Sequence, residues 1–134
     1  MEKGFSPSDD EQMEPCEDRI KRKIVEDIRP WGNFKQYAYN ENCTVKIITV
    51  NANQKLSKQI HKNRDELWII LDKGLNVELN GEILHPNVGD EIIIHRNTIH
   101  RLSSTGKKGR VLEVAFGDFD ENDTERLDDI YGRK

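Results

Sequence analysis

From Phe34 to Phe116 the apolar side chains recur at every second position, in short runs broken by turn residues. Val45, Ile47 and Thr49 alternate with Thr44, Lys46 and Ile48, and Leu75, Val77 and Leu79 alternate with Asn76, Glu78 and Asn80. That period places successive side chains on opposite faces of a strand. Asn80-Gly81 joins one such run to Glu82-Ile83-Leu84. Both turn residues tolerate positive φ, so the dipeptide predicts a tight hairpin. Further strands are expected at 66–72, 90–95, 99–104 and 110–116. Turn signals lie at Asp72-Lys73-Gly74, His85-Pro86-Asn87, Arg96-Asn97 and 105–109. Seven or eight short strands without a βαβ rhythm point to an antiparallel sandwich or barrel.

The flanks read differently. Ile20, Ile24, Val25 and Ile28 suit one face of a helix, and equally an edge strand, ending at Pro30. One short helix is expected around Glu121–Ile130. Residues 1–19 carry seven acids against two bases, or -5, which leaves about +1 for the remainder of a chain of net charge -4. A tail so polar cannot offset its ordering entropy, so 1–19 is expected to be flexible and 20–134 to form a single domain. The acidic balance argues against nucleic acid as a partner. No stretch approaches the ~18 apolar residues of a membrane span, and the polar start lacks a secretory core. Cys16 and Cys43 make no disulfide framework, so a cytoplasmic protein with free thiols is expected.

Four histidines remain to carry chemistry: His61, His85, His95 and His100. Gln59 and His61 share a strand face, Glu66 follows five residues later, and His100 lies further on. Two imidazoles and a carboxylate suffice for a first-row divalent metal, with Gln59 as a weaker neutral donor. His85 reads as a solvent-exposed turn residue. The spacing is Q-x-H-x4-E, then Gly89 to His100 with Asn97 in a turn between them. Asn tolerates the positive φ that such a turn can require.

These two stretches resemble the two motifs of the cupin superfamily. Further segments narrow the likeness: Arg29-Pro30-Trp31-Gly32, Leu56 to Trp68, His100-Arg101-Leu102, Leu112-Glu113-Val114 and Asn122 to Arg133. Over about residues 27–133 the chain resembles the type II mannose-6-phosphate isomerase domain, which usually follows a mannose-1-phosphate guanylyltransferase domain. Gln at the first ligand position is a mark of that family. The chain departs from the family pattern at Lys62, Asn63, Leu67 and Ala115. No glycine-rich phosphate loop precedes the motifs, so guanylyltransferase activity is not expected.

The resemblance implies an all-β cupin, a double-stranded β-helix of jelly-roll type with short flanking helical segments. It implies one divalent metal ion (Zn, Mn, Co, Ni or Fe) on Gln59, His61, Glu66 and His100. It implies interconversion of mannose 6-phosphate and fructose 6-phosphate, with Arg64 and Glu113 as catalytic candidates. Arg101, Lys46, Arg29 and Arg126 are the candidates for binding the sugar phosphate, and a homodimer is expected. Two other readings stay open. One is a cupin that binds metal and sugar phosphate without turnover, or acts on a different sugar. The other is an iron-dependent oxygenase using His61, Glu66 and His100.

Overall fold

The computed structural model describes residues 24–117 and 120–133, which fall into two compact units divided between Glu41 and Asn42. The acidic segment 1–19 lies outside the described residues. In the first unit, β1 (Val25–Arg29) and β2 (Gly32–Gln36) form an antiparallel hairpin turned by Pro30-Trp31. The sequence from Val25 to Arg29 therefore takes the strand alternative.

The second unit holds nine strands: β3 (Cys43–Val50), β4 (Lys58–His61), β5 (Arg64–Ile70), β6 (Leu75–Leu79), β7 (Glu82–Leu84), β8 (Glu91–Ile94), β9 (His100–Ser104), β10 (Gly109–Gly117) and β11 (Thr124–Asp128). They make a four-stranded sheet, β3-β10-β5-β8, and a five-stranded sheet, β11-β4-β9-β6-β7. Every pairing is antiparallel. The core between the sheets joins Val50, Trp68, Ile70, Ile92, Ile94 and Val111 from one to Leu75, Val77 and Leu102 from the other. This is the two-sheet, jelly-roll arrangement that the alternation implies.

The turn chemistry follows the sequence. Asn80 and Gly81 both have positive φ (48° and 88°), as the β6–β7 hairpin requires, and Asn97 has a φ of 67°. The expected helix at 121–130 is corrected. A single 3-10 turn spans Glu121–Asp123, and Thr124–Asp128 is strand β11, paired with β4. Pairing to a preformed strand overrides the local preference of a short polar segment.

Alternation also settles which residues face the space between the sheets. On β5, Glu66, Trp68 and Ile70 face inward with Glu113 and Val111 of β10, their cross-strand partners or neighbours. Leu67 pairs with Val114 and Ile93 on the outer face and is fully buried there (0% exposed).

Candidate metal centre

The inward residues at one end of the two sheets enclose a cavity of about 180 Å³. From the four-stranded sheet come Lys46 and Ile48 of β3, Arg64, Glu66 and Trp68 of β5, and Glu113 of β10. From the five-stranded sheet come Gln59 and His61 of β4, His100 and Leu102 of β9, and Thr124 and Arg126 of β11. Leu56 closes the wall. Register explains the convergence, because Gln59 stands directly opposite His100 on one side and Arg126 on the other, and His61 stands opposite Thr124.

At the centre, His61, Glu66 and His100 are all buried, with donor atoms within 4.8 Å of one another. His61 Nε2 lies 3.5 Å from Glu66 Oε2, and His100 Nε2 lies 3.9 Å from Glu66 Oε1. With metal–ligand bonds of ~2.1 Å, neighbouring donors in a coordination shell stand about 3.0–3.5 Å apart. The spacing of the three donors therefore fits a divalent cation once the Arg64 guanidinium, which lies against His61 Nε2 and Glu66 Oε2, moves aside. Burial is the largest influence on both imidazoles and favours their neutral form. It brings His61 down to about 4 and holds His100 below the usual histidine value, in each case against the opposing charge of Glu66. Neutral imidazole is the form that ligates a metal.

Neighbouring groups orient these donors. His100 Nδ1 lies 2.9 Å from the carbonyl of Thr98, which assigns its proton to Nδ1 and leaves Nε2 toward Glu66. His61 Nδ1 faces Thr124 Oγ1 at 3.4 Å. Gln59 Nε2 donates to Ser57 Oγ at 2.8 Å, so its other amide atom, the carbonyl oxygen, remains available as a ligand. The backbone N–H of Asn97 donates to the carbonyl of His61 at 2.6 Å, tying the β8–β9 turn to a ligand residue. Asp123 accepts from the backbone N–H of Lys62 and of Asn63 at 2.9–3.2 Å and so caps the β4–β5 turn.

Glu113 is the second buried carboxyl of the cavity, opposite Lys46 on β3 and Trp68 on β5. Burial, then the charge of Glu66, raises its pKa to about 7, against Lys46 and Arg64. Its Oε2 has no hydrogen-bond partner among the described residues. A carboxyl so placed can hold or release a proton near neutrality.

Of the ten residues singled out in the sequence, eight line this cavity: Gln59, His61, Glu66, His100, Arg64, Glu113, Lys46 and Arg126. Arg101 does not. As the next residue after His100 it points to the other face of β9, where it stands opposite Glu78. Its guanidinium donates to the carbonyl of Leu56 (2.8 Å) and to Asp128 through backbone and side chain (2.9 and 3.2 Å). It is a clamp on the sheet. Arg29 belongs to the first unit, where it pairs with Asp27 at 2.8 Å. His85 bonds Asn76 at an exposed position, as its turn reading expects. The sequence did not single out Ser57 or Thr124. The only signal was their strand register, two residues before Gln59 and opposite His61.

Comparison with known proteins agrees with this geometry. The family described as mannose-6-phosphate isomerase C-terminal matches residues 17–129. The mannose-1-phosphate guanylyltransferase ManC of Salmonella typhimurium is 35% identical over 107 residues, 78% of this chain and 22% of that protein. The alginate biosynthesis protein AlgA of Pseudomonas aeruginosa is 34% identical over 107 residues, with the same shares of each. The chain thus spans about a fifth of the length of these relatives. A cupin protein from Bacteroides fragilis superposes with a TM-score of 0.52 at 19% identity, covering 56% of this chain and 65% of that one, which supports the cupin fold.

Proposed function

The chain belongs to the family of the mannose-6-phosphate isomerase C-terminal domain, and from that premise we propose that it interconverts mannose 6-phosphate and fructose 6-phosphate with one bound divalent metal. One observation carries the reading. The His61–Glu66–His100 group and an independent buried carboxyl, Glu113, open on the same small cavity, whose wall also carries Lys46 and Arg126.

A cation held by His61, Glu66, His100 and Gln59 would supply Lewis-acid polarisation of the open-chain carbonyl. The chain's own residues do the rest. Ionised Glu113 takes the proton from C2. The C2–H electron pair forms the new C1–C2 double bond as the C1 carbonyl opens, and the proton of O2 passes to O1. Glu113–COOH then returns its proton to C1 as the C2 carbonyl forms on the deprotonated O2. A carboxyl raised to about 7 by burial suits both halves of the cycle. Lys46 and Arg126 meet the phosphate dianion. The apolar side chains of Ile48, Leu56, Leu102 and Trp68 keep bulk water from the reacting carbons.

Two of the departures from the family pattern bear unequally on turnover. Leu67 faces the outer side of the sheet and does not touch the cavity. Ala115 stands directly opposite Glu66. It is the residue that favours the alternative, a cupin that binds the sugar phosphate without converting it. A coupled assay of fructose 6-phosphate formation from mannose 6-phosphate decides. Metal-dependent turnover that falls ~10²–10⁴-fold in Glu113→Gln is expected. Tight binding of mannose 6-phosphate without product would replace the isomerase by the binder.

A further inference from the structure

Arg64 occupies a place that a rim cation would not. Its side chain is 4% exposed, deeper than any phosphate-binding residue at a pocket mouth needs to be. Its Nε donates to Glu66 Oε2 at 2.9 Å, its Nη2 lies 3.1 Å from His61 Nε2, and its Nη1 reaches the carbonyl of Asp120 at 3.4 Å. A guanidinium has donors only, so His61 Nε2 must be the acceptor. An imidazole nitrogen has one in-plane lone pair. It can accept from Arg64 or bind a metal, but not both at once. The same guanidinium also engages one of the two oxygens of Glu66.

We propose that Arg64 is a resident counter-cation that competes with the divalent metal for His61 Nε2 and Glu66 Oε2, and that metal loading turns its guanidinium out toward the cavity, where it meets an anionic ligand. Arg64 is then a positioning residue that links two binding events. Metal binding frees the guanidinium, and an anion that holds the freed guanidinium tightens the metal by the same factor. The first half needs only that the His–Glu–His group binds a cation. The second half rests on the sugar-phosphate reading above.

The test is isothermal titration of chelator-treated protein with Zn²⁺, with and without inorganic phosphate, for wild type, Arg64→Met and Arg64→Lys. Zinc is expected to bind Arg64→Met at least 10-fold tighter than wild type. Phosphate is expected to tighten zinc in wild type and to have no effect in Arg64→Met. Arg64→Lys, which keeps the charge but replaces the planar fork by a single ammonium on a shorter side chain, should fall between. In wild type, the ¹⁵N-edited signal of a buried arginine Nε–H should shift on zinc addition, a readout that needs no variant to fold. Equal or weaker zinc affinity in folded Arg64→Met, or an unmoved arginine signal in zinc-loaded wild type, overturns the proposal. Unchanged zinc affinity with phosphate removes only the anion link. Zinc bound by none of the proteins overturns the proposal together with the metal reading, whereas zinc bound without isomerase activity leaves the proposal standing.

Discussion

The indole N–H of Trp68 donates to Glu66 Oε1 at 3.2 Å, and both side chains are 2% exposed. The same ring meets His100 edge-on, with centroids 5.8 Å apart. Trp68 thus belongs at once to the core and to the support of two ligand residues. Trp68→Phe keeps the apolar body and removes the donor, leaving a buried carboxylate oxygen without its partner. Metal affinity should fall ~10–100-fold, as for other groups that orient a ligand. Stability should fall by about 1–3 kcal/mol. Titration calorimetry and chemical denaturation measure the two separately. Unchanged affinity would make Trp68 a packing residue only.

The pH dependence of stability contains two opposed contributions. Burial raises the Glu113 pKa from 4.5 to about 7, so between those values the folded chain holds more proton than the unfolded one. Stability therefore falls as pH rises through that window, by about 3 kcal/mol at most. Burial lowers His61 from 6.5 to about 4, so the folded chain holds less proton there, and stability rises with pH across that window. In chelator, Glu113→Gln should abolish the fall and leave the histidine rise between about pH 4 and 6.5. Denaturant midpoints across pH 4–8 test this, and a variant profile parallel to wild type would contradict it. For turnover the sign is reversed. The aldose-to-ketose rate should climb as Glu113 ionises through about 7.

Arg101 and Arg126 look alike in sequence but should separate in experiment. Arg101→Ala removes three hydrogen bonds from a residue 7% exposed and leaves the carbonyl of Leu56 short of a donor. It should cost about 2–4 kcal/mol of stability with little change in KM once folded. Arg126→Ala opens the cavity wall and should raise KM for mannose 6-phosphate ~10-fold or more, a charge-assisted contact being the interaction lost. Thermal denaturation and steady-state kinetics on the pair give the contrast. A raised KM in Arg101→Ala at unchanged stability would return Arg101 to the site.

Strand alternation places Gln59 and His61 on one face, and the resemblance of the 59–66 and 89–100 spacings to the two cupin motifs joins Glu66 and His100 to them. The same alternation turns Arg101 away from His100 and Leu67 away from Glu66, so neighbours in sequence are not neighbours in the cavity. Thr124 and Ser57 carry no chemical signature of their own. Their roles come from cross-strand register, which depends on the long-range pairing of β11 with β4 and on the course of the chain before β4. Residues 121–130 carry a helix-like local pattern for the same reason, since a polar stretch becomes a strand only when a partner edge is waiting for it.

The pairing of β11 with β4 also brings Asp123 to the end of β4. The β4–β5 turn, Lys62-Asn63, separates His61 from Arg64 and Glu66, so its shape sets the distance between the ligand strands. Asp123 caps both turn N–H groups, immediately before Thr124 faces His61. Asp123→Ala frees two backbone donors at an exposed position where water can replace the carboxylate, so the global stability loss should be modest, about 1 kcal/mol. The local effect should be larger. Hydrogen exchange at the Lys62 and Asn63 amides should accelerate at least tenfold, and zinc affinity should drop several-fold because the His61–Glu66 spacing is no longer fixed. Asp123→Asn retains one oxygen acceptor and should recover much of both. If the two amides stay protected in Asp123→Ala while zinc affinity falls, Asp123 acts on the site through charge and not through the turn.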